Sequence, residues 1–190
     1  MPEFPQIIKD GDIELRRREA SFEDARRVFE LIENNRTHLE KWETWVKDIK
    51  QSQDLLGMFR AAEADPEDIQ QINYLVFMGG ELTGSCALME INKLTRSAKI
   101  AYWLGAEFTG RGIATRAAKT LEDLAFGTMD FNRLAIIMDD ENKKSVAVAQ
   151  RLGYKLDGIM RDDVLRSDGT IGNSCVYSKL KREWQSEDKK

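Results

Sequence analysis

Two glycines stand close together just before a predicted amphipathic helix. The stretch EFTGRGIATRAAKTLEDLAF, residues 107–126, places Gly110, Gly112 and Ala114 at the helix start. Glycine lets backbone N–H groups approach a ligand closely, and the N-terminus of a helix attracts anions. Three kinds of site would use this arrangement: a dinucleotide-binding fold, a P-loop, or another kind of phosphate cradle.

The spacing excludes the first two of these sites. A dinucleotide-binding fold requires G-x-G-x-x-G, and Thr115 stands where the third glycine belongs. A P-loop requires Gly-Lys-Ser/Thr, a triplet that the sequence lacks. The remaining interpretation is a pyrophosphate cradle built from the N–H groups of residues 110–115. Hydrogen bonds to charged groups contribute about 1.5–3 kcal/mol each and the helix dipole about 0.3–2, so the backbone donors dominate. Further phosphate charge could meet four basic side chains: Arg111, Arg116, Lys143 and Lys144.

Length and composition set the class of protein. The chain has 190 residues, 42% hydrophobic and 33% charged, which predicts one folded domain over residues 1–190. A net charge of −4 and a pI near 5.3 argue against nucleic-acid binding through a basic surface. No stretch approaches the roughly 20 apolar residues of a membrane span, and the first residues lack a secretory pattern. We therefore expect a cytoplasmic protein.

Cysteine and histidine are scarce. Cys86 and Cys175 each lie within a strand-like run, which is typical of buried, reduced thiols. A single histidine, His38, leaves no Cys/His ligand spacing and makes a Ser-His-Asp triad improbable. We expect no metal.

The hydrophobic periodicity predicts a mixed α/β sheet in a single domain. Ser21 starts a helix with a capping box, since Asp24 follows three residues later. Apolar residues at helical spacing predict a second helical segment over residues 36–49, whose apolar residues either pack on the sheet or cover an acceptor cleft. Further predicted helices cover residues 52–64, 113–128 and 142–152; predicted strands cover 13–19, 72–78, 81–91, 98–105, 133–139, 154–161 and 173–180, and a frayed polar tail ends the chain.

Four stretches together resemble the GNAT family of N-acetyltransferases, and within it the ribosomal-protein acetyltransferases of the RimJ/RimL type. They are NRTHLEKWETWV (35–46), NKLTRSAKIAYWLGAEFTGRGIATRA (92–117), DENKKSVAVAQRLGYKLDG (140–158) and VYSKLKREW (176–184). The resemblance covers residues 13–184 and leaves a polar tail, 185–190. It implies a single GNAT domain with a central mixed, mostly antiparallel sheet flanked by helices. It also implies a homodimer and direct acetyl transfer from acetyl-CoA to an amine.

The resemblance also implies roles for particular residues. A strand ending at Leu104 would pair with the pantetheine arm, and its N–H would bond the thioester oxygen. Asn142 would hold a pantetheine amide, and Ser145 would protonate the departing thiolate, because Ala149 stands where many members carry a catalytic tyrosine. Thr109 replaces the usual Gln/Arg, a change that a backbone cradle tolerates. The implied acetyl-CoA-binding residues are Trp103, Leu104, Gly110, Arg111, Gly112, Ile113, Ala114, Thr115, Asn142 and Ser145.

The catalytic base is left open by the residues. RimL-type enzymes carry a glutamate near the penultimate strand, and Val164 falls at or beside that position. The nearby carboxylates are Asp162 and Asp163. Two alternatives in the early helical region are Glu40 and His38.

The free energy of deprotonating an amine narrows the choice of acceptor class. An α-amine has a pKa near 8 and a lysine near 10.4, so neutralising them at pH 7 costs about 1.4 and 4.6 kcal/mol. A site without a dedicated base suits an α-amine, in keeping with acetylation of a protein N-terminus. A small amine or aminoacyl-nucleotide fits as well, which would make the enzyme a detoxifying one. A non-catalytic acetyl-CoA sensor is the third possibility, although both Ser145 and Asn142 are present.

Overall fold

The computed structural model of the protein describes residues 3–63 and 69–187. An eight-stranded sheet forms its centre, with five α-helices around it. The elements in chain order are β1 (Ile7–Asp10), β2 (Ile13–Arg17), α1 (Phe22–Leu39), α2 (Ser52–Ala62), β3 (Ile72–Met78), β4 (Glu81–Asn92), β5 (Ser97–Leu104), α3 (Ile113–Asp123), β6 (Arg133–Asp139), α4 (Lys143–Arg151), β7 (Lys155–Leu165), β8 (Ile171–Leu180) and α5 (Lys181–Glu187). Short 3₁₀ helices cover Thr44–Asp48 and Ala106–Phe108, and a π-helical turn, Leu124–Thr128, follows α3.

The strand order across the sheet is β1-β2-β3-β4-β5-β6-β8-β7. Every neighbouring pair is antiparallel except β5 and β6, which are parallel over only three residue pairs. The expected mixed, mostly antiparallel sheet flanked by helices is therefore observed. Its single parallel junction is also its shortest.

Each face of the sheet carries its own apolar core. Because successive strand residues point to opposite faces, Tyr74 and Val76 of β3 pack with α3 and α4, whereas Leu75 and Phe77 pack with α1 and α2. All four side chains are at most 4% exposed. The helices are thus fixed on opposite sides of the strands that lead to the β5–β6 junction.

The N-terminal half differs from the sequence prediction in two places. The strand β1 was not expected; it pairs with β2 across a turn at Gly11, where φ is +60°. The predicted helix over 36–49 is wrong, because α1 runs unbroken to Leu39 and the chain then turns. The Arg36 guanidinium explains the break, since it donates to the carbonyl oxygens of Val46 (2.9 Å) and Ile49 (2.7 Å). The Arg36 side chain thus supplies the donors for these two carbonyl groups, which need no N–H partner from a helix.

The C-terminal segment is helical rather than frayed. The helix α5 reaches residue 187. The Trp184 indole N–H donates to Asp123 at 2.7 Å, and its ring lies 5.9 Å from that of Phe126. Residues 188–190 of the predicted tail lie outside the described residues.

Two further expectations concern the cysteines and membrane-spanning helices. Cys86 and Cys175 are both free and buried, and burial raises the pKa of the Cys86 thiol to about 12. Within residues 3–63 and 69–187, no helix combines the length and the hydropathy of a membrane span.

Candidate active site

The strands β5 and β6 separate after their short parallel contact. Their pairing ends at Lys99 and Ala135. Beyond that point β4 holds β5 as far as Leu104, and β8 holds β6 as far as Asp139. A cavity of about 850 Å³ opens in the wedge, lined by both strands, the glycine loop, α4, the segment after α1 and the end of β7.

The backbone of Leu104 is oriented into this wedge. The Gly105 N–H donates to the Thr83 carbonyl at 2.9 Å, so by antiparallel alternation residues 103 and 105 bond to β4. The N–H of Leu104 therefore points the other way, towards β6. Gly84 opposite is required for this close packing, since a Cβ there would lie 2.0 Å from the Trp103 carbonyl oxygen. A ligand strand entering the wedge would find a free donor at Leu104.

The glycine loop has the conformation of an anion cradle. Gly110 and Gly112 have φ values of +76° and +77°, a region that side chains other than glycine rarely adopt. A Cβ at either glycine would meet nothing within 4 Å, so the space beside the loop is open. Among the described residues, no hydrogen bond uses the N–H groups of residues 110–115. These donors surround the start of α3, where the helix dipole also favours negative charge.

The basic side chains near the glycine loop differ in how firmly other residues hold them, and so in how readily they could meet a phosphate. Arg116 is held by Asp10 (3.0 Å) and Asp12 (2.8 Å), so it fastens α3 to the β1–β2 turn. The Lys143 ammonium donates to the Asp140 carbonyl at 2.7 Å. Arg111 and Lys144 make only long contacts: 3.9 Å from the Arg111 guanidinium to a methionine sulfur, and 3.4 Å from the Lys144 ammonium to a threonine hydroxyl. They remain the better placed cations.

Ser145 lies in the cavity wall with a partner that the sequence did not reveal. The Ser145 hydroxyl is 2.9 Å from the hydroxyl of Tyr102 on β5. Burial raises the pKa of Tyr102, so its hydroxyl stays protonated and can donate to Ser145. The Asn142 side-chain oxygen accepts the Ser145 N–H at 3.2 Å, which caps α4 and fixes the position of the serine. The Asn142 amide group also lines the cavity.

The carboxylates suggested by the sequence lie outside the cavity lining. Asp162 and Asp163 are exposed on β7, where Asp162 has a φ of +53° at an irregularity in the strand. Glu40 pairs with Arg36 at 3.1 Å. Val164, which follows the two aspartates, does line the cavity.

A different carboxylate, Glu43, lines the cavity. It lies in the turn between α1 and the following 3₁₀ helix and accepts a hydrogen bond from the Trp45 indole N–H at 2.8 Å. Burial raises the pKa of Glu43 to about 7. The sequence prediction missed it because a helix continued through 36–49 would have left it as one more polar residue of a solvated face.

The end of α1 and the turn after it both pack in the core and line the cavity, the two purposes that the sequence allowed. Leu39, Val46 and Ile49 are buried in the core with α2. Trp42 and the half-buried His38 line the cavity, as Leu39 also does. Burial and the nearby Lys144 ammonium lower the pKa of His38, so its imidazole is neutral at pH 7.

Arg166, which follows β7, lines the cavity together with the ends of β6 and β7. Its guanidinium bonds both oxygens of Asp139, at 2.8 and 3.0 Å, and one oxygen of Asp140 at 3.0 Å. The C-terminal ends of β6 and β7 are therefore joined beside the cavity. The Lys47 ammonium, in the 3₁₀ helix after α1, donates to the Ser167 carbonyl at 2.9 Å. We call the part of the cavity lined by the turn after α1 and by the ends of β6 and β7 the acceptor end.

A splayed strand pair, a glycine cradle at a helix start and a hydroxyl beside the wedge define an acyl-CoA site, and the family comparison agrees. The acetyltransferase (GNAT) domain family matches residues 14–155. The chain belongs to this family, and it is an N-acetyltransferase that uses acetyl-CoA.

Particular relatives refine the comparison. The chain is 34% identical over 168 residues to the putative ribosomal N-acetyltransferase YdaF of Bacillus subtilis, covering 86% of this chain and 90% of YdaF. It is similar in fold to RimL, a ribosomal-protein α-N-acetyltransferase solved with coenzyme A (TM-score 0.85, 22% identity, 92% of this chain and 97% of RimL). It is also similar to the microcin self-immunity acetyltransferase MccE, solved with acetyl-CoA and AMP (TM-score 0.83, 26% identity, 93% and 97%).

Proposed function

We propose that the enzyme transfers the acetyl group directly to the N-terminal α-amine of a protein, in the first place a ribosomal protein, in the cytoplasm. The observation that supports this proposal is the wedge itself, a cavity that the glycine loop lines together with the turn after α1 and the ends of β6 and β7. We call the part of it at the glycine loop the cofactor end. The likeness to YdaF, a putative ribosomal N-acetyltransferase, supports the choice of acceptor. An α-amine is also deprotonated at lower cost than a lysine.

In this proposal the cofactor end binds acetyl-CoA largely through backbone groups. The N–H groups of residues 110–115 meet the pyrophosphate, and Arg111 adds charge. Trp103 and Leu104 lie along the pantetheine arm, with the Leu104 N–H placed to stabilise negative charge on the thioester oxygen. The Asn142 amide N–H₂ can donate to a pantetheine carbonyl, since its oxygen is used by the α4 cap.

Ser145 is the proposed general acid. Its hydroxyl is the polar group that α4 presents beside β5, and Tyr102 can supply a proton to it through their 2.9 Å contact. Protonating the thiolate as it leaves prevents the reverse attack on the new amide.

A second acceptor class has one observation in its favour. Trp42 and Trp103 line the cavity, and Trp45 packs edge to face against Trp103, with ring centroids 6.3 Å apart. An aromatic wall of this kind would suit a small amine with a planar group, such as the aminoacyl-nucleotide of a detoxifying enzyme. The structure of MccE contains AMP, which agrees with this alternative.

Heavy-labelled acetyl-CoA distinguishes the acceptors. The purified enzyme is incubated with the label and a lysate of the host, and intact masses are measured. Label at the N-terminus of one or a few ribosomal proteins is the expected result. Label in small molecules alone would favour the detoxifying function, and tight acetyl-CoA binding without any label would favour a sensor.

We further propose a homodimer formed through β7, one of the two edge strands of the sheet. Leu156, Ile159 and Leu165 on this strand are at least 50% exposed. An antiparallel second copy paired along β7 would cover them. Sedimentation should give twice the monomer mass for the wild type and the monomer mass for Ile159→Lys; a monomeric wild type would contradict the dimer.

A further inference from the structure

We propose that Glu43 is the catalytic base that removes a proton from the acceptor amine, an inference that rests on the proposed acetyl transfer. Glu43 lines the wedge at its acceptor end. The three carboxylates that the sequence suggested, Asp162, Asp163 and Glu40, do not line it. Only a group within hydrogen-bond reach of the amine can take its proton, so position in the cavity decides between them.

The Glu43 carboxylate is held in a defined orientation. Its Oε2 accepts the Trp45 indole N–H at 2.8 Å, and the Trp45 ring packs edge-on against Trp103. Trp103 immediately precedes Leu104, whose N–H points into the wedge. The contacts therefore connect the carboxylate, through Trp45 and Trp103, to β5, the strand that would position the thioester. Among the described residues, Trp45 is the hydrogen-bond partner of this side chain, which leaves Oε1 available for the amine.

The surroundings of Glu43 suit a base at neutral pH. Burial raises its pKa to about 7, and the Trp45 hydrogen bond opposes that rise. An α-amine has a pKa near 8, so the two groups are well matched for proton transfer. Other titratable or charged groups line the same cavity, from α1 and the turn after it, from β5, α3 and α4, and from the ends of β6 and β7: His38, Lys41, Tyr102, Arg116, Asp139, Lys144, Arg151 and Arg166.

The proton balance of the reaction requires such a group. The acceptor ammonium loses two protons when it becomes an amide. Glu43 takes the first and releases it to solvent, and the amine nitrogen forms the C–N bond to the acetyl carbon. The C–S bond breaks, and the thiolate takes a proton from the Ser145 hydroxyl. The second proton leaves the nitrogen and restores that hydroxyl through solvent.

The test measures kcat/KM against pH for wild type, Glu43→Gln and Glu43→Asp. The acceptors are short peptides with N-terminal Ser or Ala, and spermidine. Gln can still accept the Trp45 N–H, so the fold and the acetyl-CoA Kd, measured by calorimetry, should be unchanged. We expect E43Q to lose at least about 100-fold in kcat/KM and the rise near pH 7, while the rise near pH 8 from the α-amine remains. E43D should recover part of the loss.

The matched control is Glu81→Gln in the exposed β3–β4 hairpin, which should behave as wild type. The assignment is overturned if E43Q retains activity within threefold, or if Glu40→Gln, Asp162→Asn or Asp163→Asn removes the pH 7 rise instead. E43Q activity that keeps the wild-type pH profile would also overturn it.

The experiment distinguishes a wrong acceptor, the protein N-terminus, from a wrong assignment of Glu43 as the base. If the wild type acetylates spermidine but no peptide, the protein N-terminus is wrong, and Glu43 is then tested on spermidine. If no amine in the panel reacts, Tm is compared between E43Q and wild type at pH 5 and pH 8. A difference that grows with pH supports a carboxyl with a raised pKa in the wedge, and an equal difference at both pH values overturns the assignment.

Discussion

The two ends of the wedge are built from different parts of the polypeptide. At the cofactor end the proposed ligand-binding groups are backbone N–H donors, placed by two glycines at positive φ and by the start of α3. At the acceptor end they are side chains from the turn after α1 and from the ends of β6 and β7. A backbone cradle depends on local conformation, whereas the acceptor end depends on segments more than 100 residues apart, such as Lys47 and Ser167. Substitutions should therefore affect the two ends in different ways.

The largest expected effect is at the cofactor end. Gly112→Glu puts a side chain where φ is +77° and adds negative charge at the phosphate position. Several charge-assisted hydrogen bonds of about 1.5–3 kcal/mol would be lost, so acetyl-CoA should bind at least about 100-fold more weakly. Isothermal titration measures this.

Gly80→Glu is the matched control, because φ at Gly80 is +86° and the added Cβ also meets nothing within 4 Å. It should strain the β3–β4 turn and leave the acetyl-CoA affinity unchanged. Equal losses in both variants would mean that strain, and not the cradle, explains the effect.

At the acceptor end, Glu43→Gln should increase stability above neutral pH. Because the folded pKa of Glu43 (about 7) is above its ordinary value of 4.5, the folded state loses stability as pH rises from 4.5 through 7. The whole shift would carry roughly 3 kcal/mol, and partial solvent access reduces this to about 2. Urea unfolding at pH 5 and pH 8 gives the measurement; a gain that is absent at pH 8 would contradict the raised pKa.

The proposed proton transfer to the leaving thiolate is tested at Ser145. Ser145→Ala should lower kcat by about tenfold or more, at or below the lower limit for acid catalysis, with acetyl-CoA affinity nearly kept. Tyr102→Phe removes the hydroxyl 2.9 Å from Ser145 and should cost less, a few-fold in kcat. Steady-state kinetics separate kcat from KM, and an unchanged kcat for S145A would remove Ser145 from the mechanism.

The sequence signals for the proposed cofactor end are local, so the helix starts that they predict could be read directly from the sequence. Glycines that precede a helix and an Asn-x-x-Ser pattern act within a few residues, and the structure places Gly112 and Asn142 at the helix starts. Glu43 could not be found in this way. Apolar residues continue at helical spacing past Leu39, and the helix ends there because Arg36 reaches carbonyl groups 10 and 13 residues ahead.

The smallest effect is expected at Arg116. Its ion pairs with Asp10 and Asp12 are largely exposed, and exposed pairs contribute little to stability. Arg116→Ala should lower Tm slightly and change the acetyl-CoA Kd less than threefold, because the guanidinium is already engaged. A tenfold loss of affinity, measured at two salt concentrations, would instead make Arg116 a phosphate contact.

A crystal structure of the wild-type enzyme with acetyl-CoA tests the central claim most directly. The account predicts the pyrophosphate at the N–H groups of residues 110–115, the thioester oxygen within hydrogen-bond distance of the Leu104 N–H, and the acetyl carbon facing Glu43. A cofactor bound outside the β5–β6 wedge, or an acetyl group directed away from Glu43 towards Asp162 and Asp163, would contradict it.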